Sequence, residues 1–218
     1  MDIKGVITGD IVGSTHIATK WREPLLNDIH DTITELTQID SSLRIEFYRG
    51  DSFQIVSGNP QETLRIAILL RARLISSTPK GMPSWDARLS IGIGEVSFTS
   101  EHIVTSDGEA FQLSGRGLDE IGKQRLQIKT KWETVNEELK VNTSFADDII
   151  SGWSVTQSKA VYYALLNRAA TQKEIGQQIG SSYQNVSKLL VNAKISLIEM
   201  YIDRYSTLIQ KKLSICTH

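Results

Sequence analysis

The chain has 218 residues and a formal net charge of −1, with 40% hydrophobic and 22% charged residues. This is the composition of a globular protein, and it excludes the disordered, collagen-like and low-complexity classes. The neutral total conceals a split, because residues 1–150 carry 16 basic and 22 acidic groups whereas residues 151–218 carry 8 and 3. Such an asymmetry suggests two modules, one of which meets a polyanion.

The sequence also indicates where the protein works. No apolar run reaches the roughly 18–20 residues of a membrane span, and the N-terminus lacks the basic region and cleavage site of a signal peptide. One cysteine, Cys216, excludes an intrachain disulfide and a cysteine-rich zinc framework. We therefore expect a cytoplasmic protein with no membrane partner.

Hydrophobic spacing over the first part of the chain predicts a strand, a helix, a hairpin, a helix and a strand. In chain order these elements cover residues 3–9, 22–38, 43–56, 61–76 and 86–94. This β-α-β-β-α-β order predicts an α+β fold with a ferredoxin-like, or palm, arrangement. A helix, a strand and a further helix follow, over 108–122, 124–131 and 132–150.

A boundary is predicted near Ser151 and Gly152, which divides the chain into a palm-like domain, 1–150, and an all-α domain, 151–218. The all-α domain is predicted to hold four helices, over 156–169, 171–179, 182–193 and 194–212. The last of them carries apolar residues at three-four spacing. Its simplest interpretation is pairing with its copy in a homodimer.

Two carboxylates are predicted to meet at one edge of the sheet. Asp10 ends the first strand and Asp51 opens the third, and in this topology the two strands are antiparallel neighbours. Close carboxylates repel unless a cation bridges them, and Mg²⁺ is held by one or two carboxylates together with substrate phosphates. The residues that follow Asp10 include Gly13, Ser14 and Thr15, whose backbone N–H groups suit phosphate binding.

The alternative is that each acid is structural, with Asp10 capping a turn and Asp51 belonging to a tight Arg-Gly-Asp-Ser turn. Three charged neighbours of these motifs, Glu46, Arg49 and Arg88, are interpreted as solvated or paired surface charges rather than catalytic groups.

Four short blocks, in order along residues 3–122, resemble the motifs of the class III nucleotidyl cyclases. They are GDIVGST at 9–15, YRGDSF at 48–53, RLSIGIGEV at 88–96 and GEAFQLSGR at 108–116. The resemblance implies that Asp10 and Asp51 bind two metal ions, Mg²⁺ or Mn²⁺. It also implies a homodimer, because in that family the active sites form between two subunits.

The same resemblance assigns roles to four further residues. Arg116 would stabilise charge on the phosphates, and Gln112 stands where the family has an Asn that orients the ribose. Phe47 and Thr105 occupy the positions that read the purine. Phe47 departs from the family pattern, because its ring forms no hydrogen bond with a purine edge.

Residues 171–193 resemble the helix-turn-helix of bacterial regulators and of sigma factors. Thr171 and Glu174 form a capping-box pattern, and Gly180 permits the turn between the two helices. Polar groups at the start of the second helix suit base edges and phosphates. They are Ser182, Tyr183, Gln184, Asn185, Ser187 and Lys188. The alternative is a helical bundle that makes protein contacts, which the local positive charge disfavours.

These features support two functions. The first is a DNA-binding transcriptional regulator whose cyclase-like domain senses a nucleotide or a metal. The alternative is an active metal-dependent nucleotidyl cyclase with a regulatory helical domain, and a scaffold protein with neither activity is a third interpretation. The two-part layout resembles that of SatD-like bacterial proteins.

Overall fold

The computed structural model describes residues 2–48, 50–98, 103 and 107–216. Within these residues the protein has a mixed α+β fold, with one sheet and eight α-helices. The strands are β1 (Ile3–Ile11), β2 (Arg44–Tyr48), β3 (Ser52–Ser57), β4 (Ala87–Phe98), β5 (Asp107–Gly108) and β6 (Leu126–Thr130). The helices are α1 (Thr19–Leu36), α2 (Thr63–Ser76), α3 (Glu109–Glu120), α4 (Glu133–Ser151), α5 (Val155–Leu166), α6 (Gln172–Ile179), α7 (Tyr183–Asn192) and α8 (Ile195–Cys216).

The sheet has the order β2-β3-β1-β4-β5, and β6 pairs with β4 in parallel. β1 is antiparallel to both β3 and β4, so the expected neighbourhood of the first and third strands is confirmed. β4 is longer than the predicted strand 86–94, because its last residues pair with β5.

The two faces of the sheet bury different residues, as strand alternation requires. Ile7 lies on the face covered by α1 and α2, whose apolar stripes complete the main core. Val6 lies on the opposite face and packs in a smaller cluster with Ala110 and Phe111 of α3. α3 approaches closely, because a Cβ on Gly92 would lie 2.1 Å from the carbonyl oxygen of Ala110.

The main core is continuous across the predicted boundary near residue 151. Leu165 of α5, Tyr205 of α8 and the apolar residues of α2 belong to one hydrophobic cluster. Arg65 of α2 reaches across as well, and its guanidinium donates hydrogen bonds to the carbonyl oxygens of Leu165 and Leu166 at 2.9 and 3.2 Å. The C-terminal helices are therefore packed on the sheet part, and the division at residue 150 stays a prediction.

The expectation that the apolar stripe of the last helix pairs with its copy in a homodimer is wrong. Ile198, Ile202, Tyr205 and Ile209 of α8 are buried within the same chain. The Tyr205 hydroxyl donates to the carbonyl oxygen of Pro60 at 2.8 Å. Three-four spacing marks a helix face that is buried, and here the main core of the chain itself buries it.

None of the helices in the described ranges is long and apolar enough to cross a lipid bilayer.

Candidate functional site

The site at the end of β1 is built by the register of three strands. Asp10 lies opposite Ser52 of β3 and opposite Arg88 of β4. Asp51 immediately precedes Ser52, and its carbonyl oxygen accepts a hydrogen bond from the backbone N–H of Ile11 at 3.1 Å. The sequence prediction that Asp10 and Asp51 meet at one edge of the sheet is therefore confirmed as a matter of placement.

The two carboxylates have different partners. Both carboxylate oxygens of Asp10 accept from the guanidinium of Arg88, Oδ1 from Nε at 2.8 Å and Oδ2 from Nη2. Asp51 accepts from the Ser14 hydroxyl at 2.5 Å. The hydrogen bond and charge of Asp10, with the charge of Asp51, raise the pKa of Arg88 above its usual value. Arg88 is thus a paired charge, as expected, and its partner is one of the two predicted metal ligands.

This arrangement bears on the expected pair of Mg²⁺ or Mn²⁺ ions. Within the described residues, no group of three or more His, Cys, Asp or Glu side chains converges to hold a metal. Both oxygens of Asp10 accept from Arg88, whose charge already compensates that of Asp10, so a cation at Asp10 competes with Arg88. The side chains as arranged do not fit two metal ions.

The turn after Asp10 leaves backbone donors exposed. Gly13 has φ 65°, a left-handed conformation that favours glycine, and a short 3₁₀ turn of residues 14–16 follows it. Among the described residues, no acceptor is present for the backbone N–H groups of Ser14 and Thr15. Successive free N–H groups form an anion-binding concavity.

A cavity of about 250 Å³ opens beside this turn. Its floor is apolar, and its polar lining comes from Ser14, Thr15, Asp51 and Arg22. Pockets that enclose a small molecule usually have about 300–1,000 Å³, so this one is large enough for a fragment of such a molecule. Sequence reasoning missed Arg22, which lies in the first turns of α1 and faces the cavity because the Gly13–Thr15 turn leads directly into that helix.

None of the remaining cyclase-like positions within the described residues lines this cavity. Gln112 and Arg116 are exposed on α3, on the sheet face that also carries Asp10. Phe47 lies on the other face, where its ring packs edge-to-face against Phe53 with centroids 5.9 Å apart. Thr105 lies outside the described residues. The roles given to these residues remain predictions.

The second candidate site is the α6–α7 pair. Thr171 and Glu174 form the expected capping box, and Ser182 caps α7 by accepting from the backbone N–H of Asn185 at 3.3 Å. Gly180 has φ 68°, as the turn requires. A Cβ on Gly176 would lie 2.6 Å from the carbonyl oxygen of Ser181. The close approach of the turn therefore requires a glycine at this position of α6.

The first half of α7 is exposed, as the sequence predicted. Ser182, Tyr183, Gln184, Asn185 and Lys188 are exposed. Besides Ser182, whose hydroxyl caps α7, two of the six predicted DNA-binding residues are partly engaged. Ser187 is half-buried, and the Asn185 amide donates to the Ser181 hydroxyl at 2.8 Å.

Sequence reasoning missed one exposed residue of α7. Val191 is exposed and lies one and two turns after Lys188 and Gln184 on the same side of the helix. An apolar residue in a helix is usually assigned to the core, so the spacing from Gln184 and Lys188 was the only signal for it.

Comparisons with solved structures cover only part of the chain. No family model matches it, and no curated protein is significantly similar to it. Part of the chain is similar in structure to the dimeric guanylyl cyclase domain of the RhoGC fusion protein of the aquatic fungus Blastocladiella emersonii. The TM-score is 0.43 at 16% identity, over 55% of this chain and 74% of that one.

Two further cyclase structures give similar values. The guanylyl cyclase Cya2 has a TM-score of 0.41 at 16% identity, over 54% of this chain and 70% of that one. A bacterial light-regulated adenylyl cyclase has a TM-score of 0.37 at 15% identity, over 57% and 73%.

Proposed function

We propose that the protein is a DNA-binding regulator whose sheet part binds a nucleotide. The observation that supports the DNA-binding half is the α6–α7 unit, in which two capped helices are joined by a turn at Gly180 and the start of α7 is left exposed. In such units the second helix enters the major groove with its first residues on the base edges. Gln184 is suited to adenine, Lys188 to guanine or phosphate, and Val191 to a thymine methyl group.

Charge supports the same half of the proposal. Residues 151–218 carry a net of five positive charges, and neutralised phosphates supply much of the affinity for DNA. Lys159, Lys173 and Lys188 are exposed. Arg168 is already paired with Asp203, at 2.7 and 3.0 Å, so it contributes less.

The test of DNA binding uses the full chain and fluorescent duplexes enriched from genomic fragments, followed by anisotropy between 50 and 200 mM salt. We expect Lys188→Ala to weaken binding to all sequences and to reduce the slope of log K against log salt by about 1. The matched control is Lys140→Ala, which removes an exposed lysine from α4. Absence of binding at low salt, or equal loss in both variants, would refute DNA binding.

The nucleotide-binding half is supported by the Gly13–Thr15 turn, with its free N–H groups and the adjacent cavity. Arg22 adds a cation to the lining of that cavity. We expect nucleoside triphosphates to raise the melting temperature of the full chain and Arg22→Ala to remove most of that shift. Gln38→Ala, an exposed change at the other end of α1, is the control and is expected to keep it. If nucleoside triphosphates still raise the melting temperature of Arg22→Ala, the nucleotide does not bind in this cavity.

A second candidate function is metal-dependent cyclisation of a nucleoside triphosphate. The meeting of Asp10 and Asp51 across β1 and β3 favours it, because two carboxylates can clamp catalytic metal ions once Arg88 moves away. The measurement is pyrophosphate release with Mn²⁺ or Mg²⁺, which Asp51→Ala should abolish. Absence of turnover on all four common triphosphates would count against this function and leave the regulator proposal intact.

A further inference from the structure

α4 and α8 lie side by side and run in opposite directions. Thr143 and Tyr201 share a hydrogen bond between their hydroxyl groups at 2.6 Å, and Arg204 donates to Glu138 at 2.6 Å. Glu138 precedes Thr143 in α4, whereas its partner Arg204 follows Tyr201 in α8, so the two helices are antiparallel. Between the helices runs an open groove of about 850 Å³, with Ala146, Ile149 and Ile198 in its lining.

The rim of this groove is apolar and exposed. Phe145, Met200 and Leu197 line the groove and are 67%, 67% and 50% exposed. Val141 is 58% exposed and lies one turn before Phe145 on the same side of α4. Four large hydrophobic side chains on one two-helix face are more than scattered exposure explains, and such a patch marks an interaction site. We call these four residues, with the groove, the α4–α8 face.

The α4–α8 face also carries one acid and one base at the same end. Asp148 is near the end of α4 and Lys194 immediately precedes α8, and both line the groove. Both are exposed, and neither side chain has an ion-pair partner among the described residues. The other charged side chains of the groove, Asp203 and Arg204, are paired with Arg168 and Glu138.

We propose that the α4–α8 face is a homodimer interface. The α4–α8 pairs of two copies stack as two layers of two helices, related by a two-fold axis that runs parallel to the groove. Rotation about this axis lays α4 of one copy on α8 of the other without a shift along the helices. Phe145 of each copy then meets Met200 and Leu197 of the other. Asp148 of each copy meets Lys194 of the other.

The α4–α8 face fits a second copy of itself, because it carries both the apolar side chains and the acid and base that would contact each other across the dimer. An isologous interface needs such self-complementarity, with each acid matched to a base on the same patch. The helices have 19 and 22 residues and span about 28 and 33 Å. Two such helices present a face of roughly 600 Å² in projection, close to the ~800 Å² per partner of a standard interface.

The proposal is tested by sedimentation of the full chain across a micromolar concentration series. We expect a dimer that Phe145→Glu converts to monomer. Val191→Glu is the matched control, because Val191 is equally exposed but lies on α7, outside the face. A wild-type monomer at 100 μM, or a dimer that persists in Phe145→Glu, would overturn the proposal.

A charge exchange tests the geometry itself. Asp148→Lys and Lys194→Asp each place like charges opposite each other and should weaken the dimer at least threefold. The double variant exchanges the charges and should restore most of the wild-type affinity at low salt. If the double variant is as weak as the sum of the single variants, the two residues do not meet and the proposed axis is wrong. Circular dichroism of each variant identifies any loss of folding. Neither experiment depends on DNA or nucleotide binding, so its outcome is independent of the proposed function.

Discussion

Asp10 and Arg88 face each other in the β1–β4 register, and the guanidinium holds both oxygens of the carboxylate. A bidentate pair of this kind combines two charge-assisted hydrogen bonds in one fixed geometry. Asp51 also acts on Arg88 through its charge, so one guanidinium compensates two acids.

We predict that Arg88→Gln increases the affinity of the protein for Mn²⁺. Removal of the cation leaves Asp10 and Asp51 as close carboxylates, whose repulsion a divalent ion relieves. Because the pair is partly exposed, the free energy of unfolding should change by less than about 1 kcal/mol. Electron paramagnetic resonance of free Mn²⁺ measures the binding. The double variant with Asp10→Asn should bind no better than the wild type, and an equal gain there would contradict the explanation.

The second prediction concerns Arg71, which is completely buried. Its guanidinium donates to Asp86 at 2.9 and 2.8 Å and to Asp147 at 2.6 Å, and so ties α2, the start of β4 and α4 together. Burial acts to lower the pKa of Arg71, but the charges and hydrogen bonds of the two acids outweigh it and raise the pKa.

Arg71→Met should therefore lower the free energy of unfolding by about 3–5 kcal/mol, because it leaves two buried carboxylates without their shared cation. Urea denaturation followed by circular dichroism gives this value. Arg73→Met, in the same helix, removes a partly exposed pair with Asp28 and should cost clearly less. Similar losses in the two variants would show that the buried network adds little.

The third prediction is an acid sensitivity that originates at Asp40. Burial acts to raise the pKa of this carboxyl, but hydrogen bonds from Ser42, Ser57 and Asn59 prevail and lower it below 3.8. A carboxyl whose pKa is lower in the folded state stabilises the fold above its ordinary pKa. This stabilisation is lost as the pH falls through the lower, folded-state value.

Asp40→Asn should destabilise the protein by about 1–3 kcal/mol at pH 7, because an amide cannot accept all of these bonds. It should also flatten the loss of stability below pH 4. Melting temperatures of both proteins from pH 2.5 to 7 provide the measurement. Parallel curves at low pH would mean that other groups govern the acid transition.

The fourth prediction separates two glycines of the α6–α7 unit. Gly180→Ala strains a backbone with φ 68° and should cost about 1 kcal/mol, while Gly180→Asn should cost less because Asn tolerates this conformation. Gly176→Ala should cost more, since its Cβ would meet the carbonyl oxygen of Ser181 at 2.6 Å, and backbone cannot easily shift. Thermal unfolding ranks the three, and a harmless Gly176→Ala would show that the turn is loose.

Local signals in the sequence predicted much of this structure. The hairpin over 43–56 and the caps of α6 and α7 follow from strand alternation and capping chemistry, which act over a few residues. The proximity of Asp10 and Asp51, which are far apart in the sequence, followed instead from the expected order of the strands. The parallel pairing of β6 with β4 could not be predicted from the sequence, because no local pattern in either strand specifies which strand it pairs with.

Burial between distant segments was equally out of reach. The apolar stripe of α8 indicated a buried face, but whether a second copy or α2 and α4 would bury it depends on the whole fold. The Arg88–Asp10 pair was visible only after β1 and β4 had been aligned. Register between strands decides which charges meet, and register is a property of the assembled sheet.

The hydrogen bonds from Arg65 to the last carbonyl oxygens of α5 bear on the stability of the helices after residue 151. They cap α5 from another part of the chain, and the Tyr162 hydroxyl donates to Glu35 at the end of α1 at 2.6 Å. The helices after residue 151 thus share hydrogen bonds and a hydrophobic core with α1 and α2. A fragment that contained these helices alone would lose the cap of α5 and expose an apolar side, so we expect it to be less stable than the same helices in the full chain.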